Sequence, residues 1–243
     1  KEKTHTFTQG DFSELGKLKL TDKLALHVVM SKPTSLYLRG FVGSKYTSDA
    51  WKPLDYKVYN DSYALFYWLR ESQFNALNQL SAVNDLISGT VDTQEKNISI
   101  TINNVNANSK YLYTPYELQT NPENFDQVKT FDDSMVVSAS FFGERLYEYE
   151  SADNMIKKYP AVANGLYNVS ENRQTETYFK NEGYYNEYVY NNYLHIPKET
   201  KLVLRSHFDH INEPKGSRMA YEEIINRVKA DVKNTLTYNI DAS

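Results

Sequence analysis

Short apolar runs broken by Gly, Pro and Ser open the chain. Residues 24–30 read as a buried strand closed by Lys32-Pro33. Residues 36–42 read as a second strand, with a turn over 43–49 ahead of Trp51. Runs of this length and punctuation are hairpin-like. The period then changes. Asn60 or Asp61 can cap a helix, since either side chain can accept an orphan backbone N–H. Phe66, Leu69, Gln73, Leu77, Leu80, Asn84 and Ile87 follow at three-or-four spacing, with Trp68 and Val83 widening the face. Ser88-Gly89 is the expected stop, and the weak patch over 72–75 allows a break.

Period two returns at Ile98, Ile100 and Ile102, which alternate with Ser99, Thr101 and Asn103 as in a half-buried strand. Residues 111–116 read as another strand, with Pro115 ending it or placing it at a sheet edge. Strands are expected over 135–142 and 145–149, on either side of Gly143. A short helix is expected over 153–159 and a polar, mobile segment over 165–183. The tyrosine-rich stretch 184–194 suits strand or helix. After a turn at Pro197, the polar cluster 212–216 precedes an amphipathic helix over 219–232.

Strands interrupted by helices give an α+β class: an antiparallel β-sandwich or open barrel with an inserted long helix and a C-terminal helix. The best boundary divides 1–212, a β-rich domain, from 213–243. The 243 residues suffice for one large domain or two small ones. Apolar residues make up 40% and charged residues 24%, which excludes a disordered chain. Net charge is −4 with no basic stripe, which argues against nucleic acid as a partner. No apolar run approaches the roughly 18 residues of a membrane span. Cysteine is absent, which removes disulfides, thiolate zinc sites and thiol catalysis together. The 21 tyrosines suit pleated, partly wet surfaces and interfaces.

Candidate chemistry is sparse. Gly40 and Gly43 permit a tight corner beside which Tyr46 and Trp51 would bury their rings, leaving Arg39 to stack or to bind a carboxylate. That segment reads as a structural corner or as a binding element. Tyr185 and Tyr188, with Tyr184, Tyr190 and Tyr193, would form either an aromatic platform for sugar or peptide or a packed face. Trp51, Tyr46, Arg39, Tyr185 and Tyr188 are therefore the candidate ligand-binding residues. His207 and His210 would share a helix face, and with Glu213 they could approach a zinc set. A polar connector is the better reading, so no metal or cofactor is assigned. Asp132-Asp133 and Glu222-Glu223 read as solvated faces. Neither a nucleophile elbow nor a phosphate loop occurs, so no catalytic residue is assigned.

Several segments, taken in order, resemble a known family. Leu36-Tyr37-Leu38-Arg39-Gly40, Tyr46-Thr47 and Trp51 are similar to a segment that precedes the catalytic region of membrane-anchored bacterial transglutaminase-like proteins. Tyr113-Thr114-Pro115-Tyr116 is similar to an element later in that region. Tyr188, Tyr190 and Tyr193-Leu194-His195-Ile196-Pro197 resemble the stretch just before the core. The final amphipathic helix, running into Leu236-Thr237-Tyr238-Asn239-Ile240, resembles the first helix of the core itself. The resemblance implies a catalytic Cys at the start of the next helix, with a His and an Asp beyond, none of which can be carried onto this chain. It implies a non-catalytic extracytoplasmic accessory domain at the bacterial cell surface. The partners implied are the downstream core of the same polypeptide and an envelope polymer or protein. It also implies an exposed apolar stripe at Ile224, Ile225, Val228 and Val232. The alternative is a self-contained surface module that binds carbohydrate or peptide.

Overall fold

The alternating isoleucines build the centre of the molecule. In the computed structural model, residues 10–11, 22–47, 49–87, 97–126, 128–131, 134–153, 173–211 and 221–236 are described. Strand β1 spans Leu26–Met30, β5 spans Ile98–Asn104 and β10 spans Leu146–Ser151, in the order β1-β5-β10 with both pairings antiparallel. Ile98, Ile100 and Ile102 are at most 1% exposed, because period two sends all of them to one face. The opposite face is polar, and Ser99 Oγ donates to Glu148 Oε1 at 2.6 Å.

A second sheet has the order β6-β9-β8, from Tyr111–Leu112, Met135–Ser138 and Val128–Phe131. Leu112 and Val136 from this sheet join the isoleucines, Leu118 and Leu77 in one aliphatic core, closed by Tyr147 and Tyr149 of β10. Full burial of each aliphatic side chain contributes roughly 1.5–3 kcal/mol. Two ribbons add to the β structure of the described residues. Strand β2 (Leu38–Arg39) pairs with β7 (Thr114–Pro115), and β3 (Lys45–Tyr46) pairs with β4 (Trp51–Lys52). Pro115 sits in a two-stranded ribbon, where its missing N–H disturbs no longer ladder. The class is α+β with small antiparallel sheets, none of which closes into a barrel among the described residues.

Tyr113 marks the place where the chain leaves β6 and enters β7. Its N–H donates to Tyr147 Oη at 2.7 Å, and its carbonyl accepts from Tyr149 Oη at 3.0 Å. Two phenols from β10 thus satisfy backbone groups that no strand satisfies. Burial raises both phenols above the ordinary tyrosine value, with the backbone bond of Tyr113 opposing the shift at Tyr147.

The long helix expected over 61–87 is instead a broken run. It comprises α1 (Tyr56–Asp61), α2 (Tyr63–Glu71), a 3-10 turn at Ala76–Asn78 and α3 (Gln79–Ile87). Neither Asn60 nor Asp61 caps it; Asp55 does, accepting from the Lys57 N–H at 2.8 Å. The break falls in the weak patch. Gln73 adopts φ 60°, and the Phe74 N–H closes back on the Leu69 carbonyl at 2.8 Å. The longest helix among the described residues is α4, Arg173–Tyr193. It covers part of the stretch expected to be polar and mobile, and it settles the tyrosine-rich run as helix. The reason is aromatic packing. Tyr185 and Tyr188 pack with Phe66, Leu69, Phe74 and Ala76 into a second core, which Tyr178 flanks. Phe66 meets Tyr188 edge-on at 4.9 Å, and Phe74 lies 5.4 Å from Tyr178. Helix α5 (Lys198–His207) and α6 (Tyr221–Thr235) follow. Ser88-Gly89, residues 154–159 and the boundary cluster 212–216 lie outside the described residues.

Candidate functional site

The aliphatic sheet core and the aromatic helix core meet along a seam, and a cleft of about 410 Å³ opens there. That volume lies within the range of small-molecule sites. One wall is the 3-10 turn and the start of α3, with Ala76, Leu77 and Leu80 presenting apolar surface. The facing wall is α4, whose Tyr185, Val189 and Tyr193 recur every four residues and so share a helix face. Tyr178 of α4 donates to the Gln79 carbonyl at 3.3 Å, joining the two walls. The third side comes from the ribbon β2–β7, which contributes Arg39 and, just beyond it, Val42 and Tyr116.

Arg39 is the unusual group. Its guanidinium lies over the Tyr116 ring, 4.9 Å from the centroid. Its Nε and Nη2 are buried and have no hydrogen-bond partner. Among the described residues no carboxylate forms an ion pair with it. Burial draws the guanidinium below the ordinary arginine value, and the nearby Tyr116 and Tyr185 oppose that shift. Position is fixed from below. Register places Arg39 opposite Thr114, and a Cβ on Gly40 would come within 2.9 Å of the Tyr113 ring. Tyr113 is itself held by the phenols of β10. The sheet core thus aims the arginine at the helix core.

The structure brings Arg39 and Tyr185 together and leaves the other candidates elsewhere. Tyr46 and Trp51 are cross-strand partners in the ribbon β3–β4, with ring centroids 5.2 Å apart. Gly43 exists for that packing, since a Cβ there would stand 2.7 Å from Trp51 Cβ. Neither ring lines the cleft. Tyr188 is 5% exposed and points into the helix core rather than the cleft. Tyr116, Val42 and Leu80 line the cleft although the pattern marked none of them for ligand binding and gave Leu80 only a place on the apolar helix face. Tyr116 stands beside Arg39 only because Leu38 pairs with Pro115, a register that short strands do not announce.

His207 and His210 do share a side, at the end of α5 and in the 3-10 turn Asp209–Ile211. Their common partner is Asp231 of α6, at 2.9 and 3.0 Å from the two Nε2 atoms, while Glu213 lies outside the described residues. The arrangement ties α6 to the end of α5. On α6, Ile224, Ile225 and Val232 are exposed and Val228 is half-buried. No helix among the described residues is long and apolar enough to cross a membrane. Compared with protein-family models, with curated proteins and with solved structures, the chain finds no match in any of the three.

Proposed function

We propose that this chain is a non-catalytic binding module whose ligand site is the seam cleft between α3, α4 and the ribbon β2–β7. The observation that carries the reading is the cleft's composition: largely apolar walls, three tyrosines, the polar Gln79 and Ser134, and Arg39, two of whose guanidinium nitrogens are buried without a hydrogen-bond partner. A ligand there gains apolar burial from Leu77, Leu80 and Val189 and aromatic contact from Tyr116 and Tyr193. A short peptide segment or a compact organic ligand fits this chemistry better than a long polysaccharide, which would use an open row of rings. The sandwich or open-barrel arrangement of the two three-stranded sheets belongs to the same proposal, supported by the aliphatic core they share. The test is a fragment and short-peptide panel followed by amide chemical shifts. Shifts clustered on α3, α4 and Tyr116, and abolished by Val42→Trp, are expected. Binding that survives Val42→Trp and depends on Trp51 would overturn the assignment.

A second reading places the module as the accessory domain of a membrane-anchored transglutaminase-like protein at the bacterial cell surface. It is supported by the solvent-facing apolar side of α6, which a packed neighbour would cover. The coding sequence after Ser243 tests it. A Cys opening a helix there, with His and Asp further on, is the expected result, and a stop codon sinks the idea.

A further inference from the structure

We propose that the turn between β9 and β10 is a membrane-docking finger, in which Phe141 and Phe142 enter the interface of a lipid bilayer while neighbouring cations meet its headgroups. The surface is separate from the cleft and needs no ligand there. The sequence pattern carries a strand to residue 142, but β9 stops at Ser138 and the chain turns outward. Phe141 is 94% exposed and Phe142 80%, the highest values among the large apolar side chains of the described residues. Their rings meet edge-on, with centroids 5.1 Å apart. A single exposed apolar residue is ordinary, but adjacent rings in water form a patch, and patches mark binding surfaces.

The finger is held in place by its own backbone. Gly143 has φ 75°, a conformation that favours glycine, and a Cβ there would collide with the Ser109 carbonyl. Ser109 Oγ donates to the Phe142 carbonyl at 3.0 Å, and the Glu144 N–H donates to the Ser109 carbonyl at 3.0 Å. The Gly143 N–H donates to the Ser140 carbonyl at 3.1 Å, and the Ser140 N–H to Ser138 Oγ at 3.1 Å. In the neighbouring β5–β6 turn, the N–H groups of Val105, Asn106 and Ala107 all donate to the Ala25 carbonyl. These bonds bear on the partner. Moving a turn toward hydrocarbon costs free energy for each backbone group that loses water, and groups already paired internally lose little.

Shape and charge favour a bilayer over a protein. Neither ring lines the seam cleft or the cavity of about 240 Å³ beside β10. A protein partner would have to bring a pocket for such a convex pair, whereas a bilayer interface accepts it without one. Leu24, Val105 and Leu146 are exposed at the same end of the sheet, where the Asn104 N–H donates to the Arg145 carbonyl and Asn106 Nδ2 to the Leu24 carbonyl. They widen the apolar tip. Lys23, Lys110 and Arg145 are exposed around it and outnumber Asp22 and Glu144, which complements anionic headgroups. Glu144 turns back on its own chain, its Oε1 accepting from the N–H groups of Arg145 and Leu146. With Asp126 and Glu148 it lines the cavity on the flank, which keeps that side in water and limits insertion to the tip. So shallow a finger gives reversible association, and it orients the domain on a surface rather than anchoring it.

The experiment measures co-sedimentation with phosphatidylcholine vesicles, alone or mixed with phosphatidylglycerol, at millimolar lipid. Wild type, Phe141→Ser/Phe142→Ser, Lys110→Glu and Phe142→Trp are compared. Wild type is expected to bind both vesicles, about fivefold more tightly with the anionic lipid, the effect of roughly one net basic residue at the surface. The double serine variant should bind roughly a hundredfold more weakly to both at an unchanged melting temperature, since each ring contributes about tenfold or more. Lys110→Glu should lose the preference for anionic lipid and keep its binding to phosphatidylcholine. Phe142→Trp should keep binding, and its emission beyond that of Trp51 and Trp68 should be quenched by brominated lipid. Wild type that sediments with neither vesicle, or a double serine variant that binds as well as wild type, overturns the proposal. So does emission from Phe142→Trp that brominated lipid leaves unchanged. Self-association of wild type that the serines abolish, without vesicle binding, assigns the finger to a protein contact and overturns the membrane role. A lowered melting temperature in the double variant shows rings that support the fold and overturns it as well.

Discussion

The two cores solve the same problem with different materials. The sheet core is mostly aliphatic, built on Ile98, Ile100, Ile102, Leu112, Leu118 and Val136, and its tyrosines close it with hydroxyls turned to backbone. The helix core is aromatic, with Phe66, Phe74, Tyr185 and Tyr188 meeting edge-on or tilted. Branched aliphatics interdigitate on a pleated surface and leave little room. Flat rings on helices meet at angles, and a seam between such a layer and a sheet leaves grooves. The cleft lies on that seam, lined by Leu77 from one core and by Ala76 and Tyr185 from the other.

The sharpest way to break the comparison is Phe66→Ala. Phe66 is fully buried and touches both Tyr59 and Tyr188, so its loss should cost about 3–5 kcal/mol. Hydrogen exchange should show α4 opening while β5 stays protected; equal loss in both would mean one cooperative core. Ile100→Ala should cost about 2–5 kcal/mol and act the opposite way, exposing β1, β5 and β10 first. Smaller still is Tyr149→Phe, which leaves the Tyr113 carbonyl without its donor. A loss of about 1–3 kcal/mol in denaturant unfolding is expected, and no loss would show that another donor takes over.

Alkaline pH presses on both cores, since burial also raises the Tyr178 phenol beside the helix core. Burial raises Tyr147 and Tyr149 above the ordinary value of 10.0, so the folded protein keeps protons that the unfolded chain releases. Their contribution is therefore intact below pH 10 and is lost as pH climbs beyond it. Melting temperature should fall above that point, and the Tyr147→Phe/Tyr149→Phe double variant should remove part of the fall, leaving the share of Tyr178. The smallest effect belongs to Asp231→Ala. It removes an exposed tie to His207 and His210 and should cost no more than about 1 kcal/mol, with α6 fraying first in hydrogen exchange.

The sheet core was legible because Ile98, Ile100 and Ile102 alternate with polar residues, and only a strand sends all three inward. The helix core was half legible. Its α2 face followed three-or-four spacing, but its partner α4 is written largely in tyrosine. Tyrosine sits comfortably in strands or at wet surfaces, so Tyr178, Tyr185 and Tyr188 carried no clear period against a polar background. The corner around Gly43 was readable in kind, as glycine beside large rings, but its neighbours were not. Arg39 was recognisable as a candidate because it stands beside Gly40 and free of any local partner. Tyr116 was not, because its approach depends on a two-residue pairing set by the Tyr113 crossover. The capping of α1 by Asp55 was missed for a simpler reason: Val58 and Tyr59 turn toward the helix core and extend the helical run upstream of Asn60.

Gln73 gives the cleft a property of its own. A non-glycine residue at φ 60° holds the backbone in a region that costs on the order of 1–3 kcal/mol, and three residues later the chain supplies the first residue of the cleft wall. Glycine at 73 would remove that strain and at the same time enlarge the unfolded ensemble, so the two changes oppose each other in stability. What does not cancel is stiffness: a glycine there lets the wall swing, and a glutamine does not. Under the proposed binding role, position 73 would act as a compliance setting, through which the range of ligands could widen or narrow without a change at any residue lining the cleft.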